Sequence, residues 1–312
     1  MLRGVAVLAV AFVMLCGACS SSSTSAHAAT TKRTRVIVVM EENHAAVTIL
    51  GAHDLANFDR LEHDGTVLTN YFSVGHPSLP NYLAITSGSM HGVANDCGTC
   101  TYNAANLADQ LQHAGISWKL YAQGLPSRCP HVVSVHSYAR RHVPFLYYDD
   151  VVNNPSMCAH IVPYTQFAID ARNNQLPTFS MVIPDIDHDM HGHAANEDSN
   201  ANDGPQRASA DAFIGTLYDT LRSSSAWKQD TRLVVTWDEA GTDNPKPRTC
   251  CGGDATGGHI ATIVVSPRVP HGSDANTYDH YSLLRSIEDL YHLPRLGKAA
   301  DANSRDIPSI AG

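Results

Sequence analysis

The sequence carries little charge, and what it carries is not clustered. Only 16% of its 312 residues are Asp, Glu, Lys or Arg, and no block of Lys or Arg occurs. A nucleic-acid backbone is held by clustered cations, so no nucleic acid is expected as a partner. Long apolar runs are scarce as well. Val5–Leu15 is one, but it is too short to cross a bilayer, and no later segment could. Internal repeats and composition-biased linkers are missing, which argues against a solenoid or a string of domains. The 43% of hydrophobic residues exclude a collagen-like or disordered chain. A chain of this length can bury a large core.

Histidine is present in excess, at 18 residues. With neutral histidine the formal charge is −9, and protonating every one would bring it to +9. Imidazole titrates near pH 6.5, so the surface changes sign in mild acid. This describes either a solvated His-rich surface or a set of ligands and acid/base groups.

The N-terminus reads as an export signal. Arg3 precedes the apolar run, and two endings compete. Ala26-His27-Ala28 offers a cleavage site that leaves residues 29–312 as one mature domain after a leader of residues 1–28. Leu15-Cys16-Gly17-Ala18-Cys19 offers a lipoprotein signal ending at Ala18, with a lipid anchor on Cys19 and a Ser-rich tether behind it. Either way the protein is expected to be secreted or anchored at the cell envelope. Six cysteines remain in the mature chain, an even number that suggests disulfides in an exported protein. Cys129–Cys158 is the preferred long-range pair, and Cys97-Gly-Thr-Cys100 reads as a small structural loop. Cys250 and Cys251 pair with each other or with Cys97 and Cys100; spacing does not decide.

Past the leader, apolar runs alternate with helical patterns. Arg35–Met40, Phe179–Ile183, Leu233–Trp237 and Ala261–Ser266 are continuous rather than alternating, as strands covered on both faces are. Asn106–Ala114, Ala208–Arg222 and Tyr281–Tyr291 repeat apolar residues at helical spacing. The expectation is an α/β fold with a mostly parallel central sheet and helices on both faces. Sites in such sheets form at the carboxyl ends of strands. The Gly/Pro/Asp-rich segment Gly241–Gly258 is a long loop, more often functional than idle.

That rule picks out three places, and a histidine at the opening of a strand stands beside them. Arg35–Met40 runs into Glu41-Glu42-Asn43-His44, Phe179–Ile183 into Asp185–His191, and Leu233–Trp237 into Asp238-Glu239, while Gly257-Gly258-His259 opens the last strand. Carboxylates gathered at one sheet edge repel unless a cation neutralises them, and mixed Asp, Glu, Asn and His donors suit hard or borderline divalent metals. Asp187 and His191 stand four apart, close enough to share an ion in a compact turn. His188 and His193 are accounted for equally well as solvent-facing.

The remaining element is His76-Pro77-Ser78-Leu79-Pro80-Asn81, followed by a short apolar helix that ends near Gly88. Ser78 at its start is either an N-cap or a nucleophile. Free amides and the dipole at a helix N-terminus favour an anion, and a metal beside the hydroxyl makes the alkoxide accessible.

VIVVMEENH, HPSLPNYLAITSG, PDIDHDMH, TWDEAG and GGHIATIVVSP, in this order, resemble the phosphoesterase family of bacterial and fungal acid phosphatases and phosphatidylcholine-type phospholipases C, within the alkaline-phosphatase-like superfamily. The resemblance runs on through DHYSLLRSIEDLYHLP and includes Tyr138–Phe145 (YARRHVPF). It implies Ser78 as nucleophile, Asn81 as a phosphate contact and His142 as a substrate contact. Glu42, Asn43, Asp238 and Glu239 are implied as metal ligands together with Ser78, and Asp187, His191 and His259 as ligands of a second site. One or two divalent ions are implied, drawn from Ca, Zn, Mg, Mn and Fe. His191 and His259 are also the implied acid/base groups.

The expected activity is hydrolysis of a small phosphorylated substrate through a phosphoserine, with an acidic optimum, most simply by an acid phosphatase acting on monoesters. A type C phospholipase acting on diesters and a non-catalytic surface binding protein on the same fold are the alternatives. A serine esterase is disfavoured, because no G-x-S-x-G elbow surrounds Ser78.

Overall fold

The computed structural model describes residues 1–2, 4, 33–192, 204–241, 257–301 and 303–312. Cys19, most of the leader, His193, Cys250, Cys251 and nearly all of the 241–258 loop lie outside the described residues. Arg33–Gly312 forms one compact unit, and it contains every strand and helix of the described chain.

The strands are β1 (Arg35–Glu41), β2 (Gly65–Phe72), β3 (Trp118–Ala122), β4 (Ser134–Val135), β5 (Tyr138–Ala139), β6 (Ile161–Pro163), β7 (Phe179–Ile183), β8 (Thr231–Trp237), β9 (His259–Ile260), β10 (Thr262–Val265) and β11 (Gly272–Asp279). The main sheet runs β11-β2-β10-β8-β1-β7-β3-β6, with β9 added on β2, and β4 and β5 form a separate hairpin. In the main sheet only β9 and β10 run against their neighbours. It is therefore mostly parallel, as the continuous apolar runs imply.

β1 sits at the centre. Val36–Met40 are wholly buried, and so is every residue of β7 and β8 on either side. Such strands need cover on both faces. The helices supply it in two packed groups: Ala56–Asp64 and Thr165–Arg172 lie against Gly204–Ser223, while Ser78–Ser87 and Pro308–Ala311 lie against His280–Tyr291. Each Val, Ile or Met buried in β1 contributes roughly 1.5–3 kcal/mol of apolar transfer free energy.

Several elements differ from the sequence reading. β2, β3, β6 and β11 are too polar or too short to stand out as strands, and β11 (GSDANTYD) reads as a turn-rich loop. It is a strand because the β2 ladder pairs it, with a register shift between Asp274 and Thr277. Gly204–Ser223 begins four residues before the expected start. Among the described residues two disulfides are present, Cys97–Cys100 and Cys129–Cys158.

Candidate active site

The site forms where β8, β1 and β7 end side by side. Glu41 pairs with Trp237, and the Asp238 amide continues the ladder by donating to Glu41 O at 2.9 Å. On the other side the Glu42 amide donates to Asp189 O at 2.8 Å. Glu42, Asp238 and Asp189 are thus brought to one edge by backbone pairing alone. Asn43 then turns the chain, with φ of 54°, a left-handed conformation that Asn tolerates. Its amide donates to Asp238 Oδ1 at 3.0 Å.

The fourth arm follows β2. Asn81 fixes it: Oδ1 accepts from the Val74 and Gly75 amides, both at 3.0 Å, and Nδ2 donates to Gly75 O at 2.8 Å and Pro77 O at 3.3 Å. Pro77 caps the Ser78–Ser87 helix without any side-chain hydrogen bond. Ser78 is therefore not an N-cap. It is the first helical residue, and its hydroxyl donates to Glu42 Oε2 at 3.0 Å. One turn further on the same helix face, the Tyr82 hydroxyl donates to Glu42 Oε1. Glu239 pairs with His76 at the rim of this arm.

His142 arrives from the short 3-10 turn after β5 and is buried between two carboxylates. Nε2 lies 3.3 Å from Glu42 Oε1 and Nδ1 3.3 Å from Asp189 Oδ2, neither aligned as a hydrogen bond. Its ring stacks on Tyr82 at 5.6 Å and faces His191 at 5.7 Å between centroids. The His191 amide donates to Asp189 Oδ1 at 2.8 Å. Its Nδ1 meets Gly192 O at 2.9 Å, which places the ring proton there and leaves Nε2 to accept from Arg141 at 3.0 Å.

Burial and mutual repulsion govern the charges. Glu42 is pushed well above the usual carboxylate range by burial first, then by Asp238 and Asp189, against the opposing hydrogen bond from Tyr82. Burial likewise raises Asp189, and it raises Asp238 to about 6 against the amides of Asn43 and Glu239. His142 is driven well below its ordinary value by burial, then by Arg141 and His191. A divalent cation fits this donor set. Asn43 Oδ1, Asp189 Oδ2 and Asp238 Oδ2 are buried without a hydrogen bond among the described residues. Ligand atoms of Glu42, His142 and His191 all lie within 4.8 Å of one another.

The structure does not bring all of the expected residues together. Asp187 is exposed and takes the Ser137 hydroxyl; the carboxylate that enters the cluster from this loop is Asp189. The loop Asp185–Gly192 closes through the His188 amide on Asp185 O and the Gly192 amide on Ile186 O, and the carboxylate it presents to His142 is that of Asp189. His259 belongs to β9: its ring lies 5.2 Å from Phe72 and Nε2 meets Thr69 O at 2.9 Å, which seats it against the end of β2. Asn81 spends its amide on the backbone of residues 74–77 rather than facing a ligand. His142 sits inside the carboxylate cluster rather than at a substrate face. Sequence reasoning misses Tyr82 and Arg141. Tyr82 is legible from its helical spacing to Ser78; Arg141 has only its place beside His142.

The fold is similar to that of a protein in the alkaline phosphatase superfamily from Vibrio parahaemolyticus, which superposes with a TM-score of 0.55 at 15% identity, over 84% of this chain and 67% of that one. The phosphonate monoester hydrolase of Agrobacterium radiobacter gives 0.55 at 16% identity, over 90% and 77%. The model of the Phosphoesterase family matches residues 41–294. The chain belongs to that family, a class of phosphoric-ester hydrolases. Among its relatives, a phosphatidylinositol-3-phosphatase of Mycobacterium tuberculosis is 31% identical over 272 residues, covering 86% of this chain and 80% of the relative. An acid phosphatase of Aspergillus fumigatus is 28% identical over 78% of this chain, and a non-specific phospholipase C1 of Arabidopsis thaliana 23% over 76%. The match spans about half of the length of these two, 52% and 46%.

Proposed function

We propose that the protein is an exported, metal-dependent phosphatase that hydrolyses phosphate monoesters through a phosphoserine at Ser78. The observation that carries this reading is the Ser78 hydroxyl at a helix N-terminus, hydrogen-bonded to the buried Glu42. A leader over residues 1–28 and a catalytic domain over 29–312 complete the proposal, and the two disulfides support an oxidising destination.

Glu42, Asn43, Asp238 and Glu239 would hold the cation, with Asp189, His142 and His191 beside it. When bound, the cation supplies charge neutralisation at the phosphoryl oxygens and a lowered pKa for the Ser78 hydroxyl. Glu42 aims the Ser78 hydroxyl, and Tyr82 holds Glu42. Ser78 Oγ gives its hydroxyl proton to Glu42 Oε2 and forms its bond to phosphorus as the ester oxygen departs opposite, and that proton is passed on to the departing oxygen, which leaves as the alcohol. Water then cleaves the Oγ–P bond, returning Ser78 and inorganic phosphate. Arg141, reaching in beside His191, stabilises charge on the equatorial oxygens.

The test is phosphate release from a monoester by mature protein, wild type beside Ser78→Ala, at pH 5 and pH 8. Activity in the wild type and none in a folded mutant supports the reading. Full activity in the mutant removes Ser78 as nucleophile. The match to a phospholipase C favours diesters as the second reading, so a diester belongs in the same assay. An inactive wild type on both would leave a binding protein on this fold.

A further inference from the structure

We infer that Asp96 is an internal anion seated on the anion-holding groups beside Ser78, and that its charge sets how the site discriminates among phosphate esters by their own charge. The inference rests on the reading of Ser78 as the phosphorylated residue.

Leu79 is the second residue of the Ser78–Ser87 helix, so its amide is one of the first-turn donors that no helical carbonyl can satisfy. That amide is adjacent to the nucleophile and aligned with the helix dipole, the natural place for a phosphoryl oxygen. A carboxylate already holds it: Leu79 N donates to Asp96 Oδ1 at 2.9 Å. Asp96 Oδ2 lies 3.8 Å from Arg141 Nε, which is buried without a hydrogen bond among the described residues. The same guanidinium donates to His191 at 3.0 Å and so reaches the Glu42 cluster. Asp96 therefore spans the two groups, helix amide and arginine, that a tetrahedral dianion beside Ser78 would need.

Its placement is built rather than incidental. Asp96 directly precedes the Cys97–Cys100 disulfide. The ring that this bond closes is docked by the buried Arg140, whose guanidinium donates to Gly98 O at 2.7 Å and to Leu146 O at 2.8 Å. Gly98 lies so close to Val133 that a Cβ would stand 2.4 Å from its Cγ1. Arg140 and Arg141 are neighbours, so one short segment fixes both the loop that carries Asp96 and the guanidinium it faces. The side chain of Asp96 itself is 32% exposed, at the mouth of the site, and can swing outward without unpacking the core.

An ester that binds must take the Leu79 amide from Asp96 and tolerate its charge nearby. A dianionic monoester suffers more from that neighbour than a monoanionic diester does, because Coulomb repulsion scales with the ligand charge. Asp96 thereby raises the cost of dianions and speeds release of inorganic phosphate. A plain helix-stabilising acid would do neither, though it would raise thermal stability.

The experiment compares wild type, Asp96→Asn and Asp96→Ser, all metal-loaded, at pH 7 and low salt. It reads the inhibition constant of inorganic phosphate, KM and kcat for a monoester and a diester, and Tm. The inference expects phosphate to inhibit about tenfold more tightly in both variants, the monoester KM to fall in parallel, and the diester KM to move threefold at most. Unchanged or weaker phosphate inhibition together with a lower Tm would overturn it and leave Asp96 a helix cap. If the wild type released no phosphate, the functional reading itself would fail. Calorimetric binding of inorganic phosphate to wild type and Asp96→Asn would then decide the competition on its own, with equal affinities overturning it.

Discussion

Ser78 and Glu42 are 36 residues apart in sequence, and the hydroxyl of the first donates to Oε2 of the second at 3.0 Å. The contact joins the end of the central strand to the start of a helix that follows a different strand. Its second carboxylate oxygen is held by Tyr82 on that same helix. Glu42 is thereby oriented by the element that carries the hydroxyl it aims.

Replacing Tyr82 by Phe removes the donor to Glu42 Oε1 and leaves a buried carboxylate with one partner fewer. A hydrogen bond to a charged group is worth about 1.5–3 kcal/mol. The expected outcome is a loss of kcat/KM for a monoester of about ten- to a hundredfold, with the fold retained by circular dichroism. Unaltered kinetics would detach Tyr82 from the reaction.

Asn81→Ala tests the structural role assigned to that amide. Four hydrogen bonds to the backbone of residues 74–77 are lost, including the only described partner of the Val74 amide. Stability should fall by about 2–4 kcal/mol in chemical denaturation, and kcat should fall with it, because Pro77 and Ser78 lose their support. A loss of phosphate affinity at unchanged stability would instead restore Asn81 as a ligand contact.

Chelation should lower both activity and Tm. Asn43 Oδ1, Asp189 Oδ2 and Asp238 Oδ2 are buried without a hydrogen bond among the described residues, and removing a cation leaves the carboxylate charges uncompensated. A ligand at a hundred times its dissociation constant stabilises by about 2.7 kcal/mol. Thermal melts with and without chelator, then with single divalent ions restored, read this independently of catalysis. Identical melts throughout would count against a resident metal.

Glu288 gives a pH dependence away from the site. Burial raises its carboxyl to about 8, against the hydrogen bond from the Leu296 amide. The folded pKa lies above the unfolded one, so the stability it contributes is complete below about pH 4.5 and is lost as pH climbs towards 8. Glu288→Gln keeps an acceptor and removes the ionisation. The Tm of this variant relative to wild type should therefore rise between pH 5 and pH 8. A difference that is flat with pH would show that Glu288 does not titrate in that range.

Much of the site is legible without the fold. β1, β7, β8 and β10 are runs of Val, Ile and Leu that only a sheet covered on both faces can bury, and parallel strands send their carboxyl ends to one edge. That is why Glu42, Asn43 and Asp238 can be placed at that edge from order alone, whereas Ser78 follows β2, which does not stand out as a strand, and is implied as nucleophile by the resemblance. The motifs from VIVVMEENH to GGHIATIVVSP point in addition to the family that the comparisons show.

Loop geometry is not legible in the same way. Spacing favours Asp187, yet backbone hydrogen bonds in Asp185–Gly192 turn Asp189 inward and leave Asp187 in water. Asn81 reads as a ligand contact and is consumed by the chain it follows. His259 opens a strand at the right edge, but its antiparallel pairing with Phe72 carries the ring to β2. Local sequence determined which strands reach the site, because apolar periodicity is a property of each segment. Only the tertiary structure decided which side chain at each strand end faces inward, because that depends on hydrogen bonds and burial supplied by residues far along the chain.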